Sequence, residues 1–208
     1  MIIGFMGKKC AGKTSSAKFW REKEAAYMKA FGDELKEMVI NANLLTREQA
    51  YGEEKHLKEN RDLLKRVGTD LVREQIDQDF WVKKMEERLD ALESMNKRDI
   101  LIHDVRFRNE AEMIKRRRGV LVLVQRPGLD SNDSHRSETE FQSITPDYYL
   151  VNEGSLDDLR LLVIGLMKKI KRDLNVDNEY LSFSKTYGAG RAGSEGIEGT
   201  AGKGSEVN

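Results

Sequence analysis

The sequence predicts a three-layer α/β sandwich, in which helices cover both faces of a central five-stranded parallel sheet. Short apolar segments alternate along the chain with longer segments of helical periodicity, a pattern typical of parallel sheets. A glycine-rich loop lies between the first apolar segment and the first helical one. The length of 208 residues fits one such domain.

The elements are expected in the following order. Strands are predicted at 1–6, 27–31, 100–105, 120–124 and 148–151, where apolar residues are concentrated. Helices are predicted to begin at Ser15 and to span 33–42, 60–76, 80–95, 109–117 and 156–174, where apolar residues recur at helical spacing. The glycine-rich residues 184–208 carry almost no large apolar side chain, so we expect a domain over 1–183 and a disordered tail after it.

The glycine-rich loop carries the strongest functional signal. It matches the pattern G-x-x-x-x-G-K-[ST], in which backbone N–H groups surround two phosphates, the lysine reaches the β and γ phosphates and the hydroxyl binds Mg²⁺. The flanking strand and helix are the setting that this motif requires, and the helix dipole adds to the attraction for phosphate. The alternative is an ordinary glycine turn. The predicted triphosphate site comprises Gly7, Lys8, Lys9, Cys10, Ala11, Gly12, Lys13, Thr14 and Ser15.

A second chemical landmark follows the third predicted strand. Asp104 closes this apolar strand, where a carboxylate can hold Mg²⁺ or its water. Arg106 can offer a permanently charged, planar group to a transferring phosphoryl. Glu110, in the first turn of the next helix, could orient Arg106 or the metal, or it could simply be an acid favoured by the helix dipole.

Three classes of nucleotide-binding protein fit these motifs. A regulatory GTPase would need Asp-x-x-Gly at the metal-binding strand and a guanine-reading Asn-Lys-x-Asp after it. Here the residue three positions after Asp104 is Phe107, not glycine, and the Asn-Lys-Arg-Asp at 96–99 precedes that strand. A nucleic-acid ATPase is suggested by the basic run 115–118, which lies at a helix end without interleaved aromatic residues. A nucleotide kinase needs elements for a second substrate, which the helical middle of the chain could supply.

Composition limits the partners and the compartment. Lys plus Arg and Asp plus Glu number 36 each, so net charge gives no reason to expect nucleic acid or an anionic membrane. The single cysteine, Cys10, excludes an intrachain disulfide and suits a reducing cytoplasm. We see neither a signal peptide nor an apolar stretch long enough to cross a bilayer.

Seven segments, in order, carry a resemblance to a known family. They are Ala30-Phe31-Gly32-Asp33-Glu34-Leu35-Lys36, Arg61-Asp62-Leu63-Leu64 with Val67-Gly68-Thr69-Asp70-Leu71-Val72-Arg73, Asp77 with Trp81-Val82, Asp104-Val105-Arg106-Phe107, Arg126-Pro127, Ser134-His135 with Ser137-Glu138-Thr139-Glu140, and Val151-Asn152-Glu153-Gly154. The chain resembles the bacteriophage deoxynucleoside monophosphate kinases over roughly residues 1–170.

The resemblance implies transfer of the γ-phosphoryl of ATP to a deoxynucleoside monophosphate, with Mg²⁺. On this basis Lys13 and the loop amides hold the donor phosphates, and Thr14 and Asp104 hold the metal. A lid is implied at about 126–145, with Arg126 and Arg136 closing on the phosphates, and Asn152 lies beside the donor base.

The resemblance also assigns the acceptor site to the helical region at about 33–98. Arg61 and Arg73 would clamp the acceptor phosphate, and Asp33 and Lys36 would meet its sugar or phosphate. Trp81 would face the base, although a tryptophan near a helix start is as often core. The expected partners are small nucleotides, with no membrane and no nucleic acid, and a homodimer is left open. The expected compartment is the cytoplasm, that of an infected bacterial host if the protein is phage-encoded.

Overall fold

The computed structural model describes residues 1–97, 99–129 and 135–188, with side chains as far as residue 175. Its sheet has five parallel strands in the order β2-β3-β1-β4-β5. The strands are β1 (Ile2–Met6), β2 (Tyr27–Lys29), β3 (Ile100–Val105), β4 (Val120–Gln125) and β5 (Tyr148–Val151). All five predicted strands are therefore confirmed, and the fold is the predicted parallel α/β type.

Eight α-helices surround the sheet in the described residues. They are α1 (Lys13–Lys23), α2 (Gly32–Asn41), α3 (Arg47–Tyr51), α4 (Lys58–Lys65), α5 (Phe80–Ser94), α6 (Arg108–Arg116), α7 (Arg136–Thr139) and α8 (Leu156–Gly188). A π-helical segment, Arg66–Ile76, continues α4, and single 3₁₀ turns span Glu53–His56 and Glu140–Ser143.

Helices cover both faces of the sheet, as the side chains of β1 show. Successive strand residues point to opposite faces. Phe5 meets Trp20 of α1 edge-on, with ring centroids 6.3 Å apart. A Cβ on the neighbouring Gly4 would lie 2.6 Å from Ile114 of α6. Helices α1 and α6 therefore lie on opposite faces, which makes the three layers.

Two predicted helices differ from the structure. The helix predicted at 60–76 is α4 followed by the π-helical turns, and a Cβ on Gly68 within them would lie 2.5 Å from Leu35 of α2. A π-helical segment often marks a functional site. The helix predicted to end at 174 continues to Gly188, because neither glycine nor proline interrupts residues 166–187.

The predicted tail overlaps this helix. Its first residues, from Ser184, are helical, and residues 189–208 lie outside the described part of the chain. Met1–Met167 forms one compact unit, and a second unit begins at Lys168. None of the described helices is long and apolar enough to cross a membrane.

The sheet topology determines where the chemistry is assembled. Strands β1 and β3 are neighbours, and Met6 pairs with Val105 at their carboxyl ends. The phosphate loop leaves β1 at this edge, and Asp104 and Arg106 lie at the end of β3. Ligands of open α/β sheets bind at the carboxyl ends of the strands. The topology therefore brings both sequence landmarks to one place.

Candidate active site

The loop after β1 depends on glycine at two positions. Gly7 and Gly12 have φ angles of 136° and 113°, in a region that other residues rarely adopt. A Cβ on Gly7 would lie 2.2 Å from the carbonyl oxygen of Val124, and a Cβ on Gly12 would lie 2.9 Å from Nδ2 of Asn152. Cys10 is left-handed at φ 62° and exposed. The loop is thus packed closely against the ends of β4 and β5.

Lys13 begins α1 and its side chain folds back over the loop. The ammonium donates hydrogen bonds of 2.7 Å to the carbonyl oxygens of Gly7 and Lys8. Burial, aided by the nearby Arg106, lowers the pKa of Lys13 to about 8. The cation is therefore held at the loop, at a desolvation cost that an arriving phosphate would relieve.

Asn152 supports the loop from beneath. It follows β5, its backbone N–H donates to the Gln125 carbonyl at 2.7 Å, and its buried side chain donates to the Ala11 carbonyl at 2.9 Å. Lys8 adds a bond from its ammonium to the Leu129 carbonyl at 3.3 Å. These contacts make Asn152 part of the loop's scaffold, whereas the resemblance placed it beside the donor base.

Asp104 connects the end of β3 to α2. Its two carboxylate oxygens accept hydrogen bonds from the backbone N–H groups of Phe31 and Gly32, at 2.8 and 2.9 Å. Since α2 carries the predicted acceptor residues, one carboxylate joins the two predicted substrate sites. The exposed Thr14 lies nearby on α1, and its hydroxyl is 3.4 Å from Nδ1 of His103.

Arg106 is held by the short helix α7. Its Nη1 donates to the Ser137 carbonyl at 2.9 Å and to the Glu138 carboxylate. Burial works against the charge, but the adjoining Glu138 outweighs it and raises the pKa of Arg106. The guanidinium therefore remains charged, and Arg106 lies in the same cavity as Lys13.

Glu110 and Arg73 form a buried ion pair, with side-chain exposures of 2% and 3%. Glu110 also accepts the backbone N–H groups of Arg106 and Phe107, at 2.8 and 3.1 Å. Burial raises the pKa of Glu110 to about 7, and Arg73 opposes that shift. Arg73 stacks 3.9 Å from the Phe107 ring centroid. The pair therefore fixes the turn that carries Arg106.

One cavity of about 380 Å³ connects the loop to the helical region. The loop side contributes Lys9, Cys10, Lys13 and Thr14, and the end of β3 contributes Asp104, Arg106 and Glu110. The helical side contributes Lys36, Arg61, Arg73 and Trp81. The structure thus brings predicted donor and acceptor residues to the same space. A larger open cavity of about 520 Å³ lies beside α6 and contains none of the predicted site residues.

The residues predicted to bind the acceptor differ in their freedom to meet a ligand. The ammonium of Lys36 lies 4.6 Å from the centre of the Tyr51 ring. Trp81 is 4% exposed and donates from its indole to the Gly68 carbonyl at 2.8 Å, so most of its surface is in the core. Asp33 accepts the backbone N–H of Ala30 at 3.1 Å and lines a neighbouring cavity of about 310 Å³.

The two arginines of the predicted lid are not among the residues that line the main cavity. Arg126 follows β4 and is exposed. Arg136 begins α7, donates to Glu140 at 2.6 Å and lies 3.8 Å from Glu74 of the π-helical segment. Residues 130–134 between them are outside the described ranges. Closure of these arginines on phosphate stays a prediction.

The cavity also includes residues without an assigned role in the sequence, and His103 and Glu138 are two of them. His103 precedes Asp104 on β3, and the alternation of the strand gave no signal that its ring would meet Thr14. Glu138 is 7% exposed. A charged residue is expected at the surface, so its sequence did not predict this burial. Its contacts with Arg106 and Arg61 explain its place.

Comparison with known proteins decides the family. A family model described as deoxynucleotide monophosphate kinase matches residues 46–163. A putative deoxynucleotide monophosphate kinase of Acanthamoeba polyphaga mimivirus is 35% identical over 79% of this chain and 95% of its own length. The chain belongs to the deoxynucleotide monophosphate kinase family. The resemblance that the sequence motifs carried is thereby confirmed.

Two further proteins extend the comparison. The deoxynucleotide monophosphate kinase of Enterobacteria phage T4 is 31% identical over 56% of this chain and 45% of its own length. Among solved structures, dephospho-CoA kinase from Campylobacter jejuni is similar at a TM-score of 0.49 and 14% identity, over 83% of this chain and 98% of that one. The matched residues of the family model include α4, the π-helical segment and α7. Those elements carry residues of the predicted acceptor side of the cavity and the contact to Arg106.

Proposed function

We propose that this protein transfers the γ-phosphoryl of ATP to a deoxynucleoside monophosphate, giving the diphosphate and ADP. Family membership makes it a nucleotide kinase. The observation that carries the proposal is the single cavity lined by Lys13 of the phosphate loop and by Arg61 and Lys36 of the helical region. A donor phosphate and an acceptor phosphate, brought together in one space, gain the rate advantage of proximity.

The donor side is assigned to the loop. Backbone N–H groups of residues 7–15 would surround the α and β phosphates, and Lys13 would exchange its two carbonyl partners for phosphate oxygens. Arg106 would stabilise the charge of the transferring phosphoryl, since its guanidinium is charged and lies in the same cavity. Phosphoryl transfer depends mainly on such positioning and electrostatics.

Mg²⁺ is proposed as the cofactor, and the residues present fit it. The Thr14 hydroxyl and the Asp104 carboxylate both line the cavity. Asp104 accepts one N–H on each oxygen, which leaves lone pairs for a metal or its water. Mg²⁺ is commonly held by only one or two protein oxygens together with waters and phosphates. When bound, the ion would neutralise charge on the phosphates.

The acceptor side is assigned to the helical region at about 33–98. Arg61 would bind the acceptor phosphate. Arg73, bound to Glu110 and stacked on Phe107, would support the site from below and meet the phosphate at the cavity wall. Lys36 and Asp33 of α2 would meet sugar or phosphate. The exposed part of Trp81 would meet the base beside Leu35 and Gly68, which line the same cavity.

The segment at about 126–145 is proposed as a lid. Its described part already bridges to the acceptor region, since His135 lies 3.2 Å from Asp70 and Arg136 lies 3.8 Å from Glu74. Closure over bound nucleotides would exclude water, so that the phosphoryl is transferred to the monophosphate. Arg126 and Arg136 would then approach the donor phosphates. The single cysteine fits the proposed cytoplasmic setting.

The basic run 115–118, at the end of α6, does not favour the alternative of an ATPase that acts on nucleic acid. Lys115 pairs with Asp147, Arg116 lies 3.3 Å from Glu86, and the two terminal nitrogens of Arg117 pair with Asp90 and Glu93. A phosphate-binding surface needs cations that are available to phosphate. These three side chains are neutralised by their own domain.

One panel tests the proposal. Purified protein is incubated with ATP and Mg²⁺, and each deoxy- and ribonucleoside monophosphate is added in turn while ADP release is followed in a coupled assay. We expect ADP release to depend on one or more deoxynucleoside monophosphates. Phosphorylation of none of them, together with ATP hydrolysis stimulated by DNA, would instead support the nucleic-acid ATPase.

A further inference from the structure

We infer that Glu138 is a positioning residue, which together with the Ser137 carbonyl orients Arg106 for the transferring phosphoryl. The inference rests on the proposed function, because it concerns the catalytic role given to Arg106. It also connects the seating of α7 to the chemistry. The relevant contacts join two elements that are 31 residues apart in sequence.

Glu138 is a buried carboxylate. Its side chain is 5% exposed, and Arg106 beside it is 31% exposed. A buried carboxylate is costly unless a cation and hydrogen bonds compensate it. Arg106 supplies a direct hydrogen bond, and Arg61 lies 3.9 Å from the same oxygen. The position of Glu138 is therefore defined by these arginines.

Arg106 has more hydrogen-bond donors than its contacts with α7 use. A guanidinium has five N–H groups in a rigid planar fork. Nη1 is used on α7, for the Ser137 carbonyl and the Glu138 carboxylate. Within the described part of the chain, Nε and Nη2 of Arg106 donate to no protein acceptor. Those nitrogens form the second edge of the fork, which suits bidentate contact with phosphoryl oxygens.

The guanidinium fork is rigid. When α7 holds Nη1, the orientation of Nε and Nη2 is fixed as well. The side chain then loses little conformational entropy when it binds phosphate. Ser137 and Glu138 both line the cavity beside Arg106 and Lys13. The packing of α7 against this site therefore also orients Arg106, and Glu138 makes the charged contact between them.

A different role would give the opposite result. Glu138 lies between Arg61 and Arg106, two residues proposed to bind phosphate, and could occupy the place of a substrate phosphate. In that case its removal would strengthen nucleotide binding. Arg106, however, has donors left over while it holds Glu138. A phosphate therefore has no need to displace the carboxylate.

The test is a double-mutant cycle in the full chain. We expect Glu138→Ala to lower kcat on the order of 10²-fold, the loss typical of a misplaced catalytic group, with little change in KM for ATP. Glu138→Gln should lie between it and the wild type, because a neutral amide still accepts a hydrogen bond but a weaker one. In an Arg106→Ala background Glu138→Ala should cause no further loss.

A matched surface pair provides the control. Glu86 lies 3.3 Å from Arg116 on the outside of the domain, and Glu86→Gln should leave kcat unchanged. Urea unfolding of each variant checks that it is folded, and Glu138→Gln is close to the wild type in shape. Any of three results would overturn the inference. These are an unchanged kcat in Glu138→Ala, an equal loss of kcat from Glu138→Ala with and without Arg106, and tighter monophosphate binding by Glu138→Ala. If the wild type phosphorylates no monophosphate, the proposed function fails first.

Discussion

Glu110→Ala should strongly destabilise the fold, because it removes one member of a buried ion pair. The substitution leaves the Arg73 charge buried, which typically costs 3–5 kcal/mol, roughly, for a pair of this kind. Arg73 keeps hydrogen bonds to the Gln78 carbonyl and the Asn109 side chain, at 3.1 and 3.3 Å, so we take the lower end of that range. Two backbone N–H groups also lose their acceptor, at about 1 kcal/mol each if cavity water partly replaces it. The expected loss is about 5 kcal/mol in unfolding free energy.

Urea unfolding followed by circular dichroism at pH 8 measures this loss. A matched control is Glu86→Ala, which breaks the surface pair with Arg116 and should cost less than about 1 kcal/mol. The double variant Arg73→Met with Glu110→Leu removes both charges and should recover much of the stability, because two apolar side chains avoid the unpaired charge. A loss below about 1 kcal/mol in Glu110→Ala would refute the role assigned to the pair.

The same carboxylate should give a pH dependence of stability. The folded protein holds the Glu110 proton to a pKa of about 7, above the ordinary value of 4.5. Between these values the unfolded chain is ionised while the folded one is still protonated, so this group's contribution to stability falls as pH rises. The difference in unfolding free energy between the wild type and Glu110→Gln should therefore decrease from about pH 5 to about pH 7 and change little above pH 7. A difference that rises with pH would contradict the burial argument.

Three further predictions concern the chemistry. Arg106→Ala should lower kcat on the order of 10²-fold or more, about 3 kcal/mol, and an effect on KM alone in steady-state kinetics would make it a binding residue instead. In calorimetric titrations the affinity for ATP should fall as pH rises through about 8, because the pKa of Lys13 lies there before phosphate binds, and Lys13→Met should lose that component. Asn152→Ala should weaken ATP binding through the loop, since its amide holds the Ala11 carbonyl at 2.9 Å, and an unchanged dissociation constant would exclude that support.

The sequence was sufficient to predict the sheet and the donor loop because both follow local rules. Apolar segments such as 100–105 form strands wherever helices can cover them, and the spacing from Gly7 to Thr14 is imposed by phosphate geometry. The predicted end of the last helix was wrong because the apolar periodicity fades after Ile170, whereas no glycine or proline stops the helix before Gly188. Composition alone had suggested that order ended earlier.

The details of the acceptor side could not be predicted, because they depend on contacts between distant residues. Arg73 was expected to clamp the acceptor phosphate, which stays a prediction, and no sequence signal indicated that its charge would pair with Glu110, 37 residues away. Asn152 was expected beside the donor base, which stays a prediction, and no sequence signal indicated that it would hold the loop 141 residues earlier. Glu138 had no assigned role. Each of these polar groups is buried, and a sequence does not state which charged residues become partners on burial.

The most direct test of the account is the fate of the γ-phosphoryl. ATP labelled at the γ position is incubated with Mg²⁺ and each deoxynucleoside monophosphate, and the labelled products are separated for the wild type and for Lys13→Ala, which should remain folded. The account predicts label in a deoxynucleoside diphosphate for the wild type and almost none for the variant. Label found only in free phosphate, or equal transfer by both proteins, would contradict it.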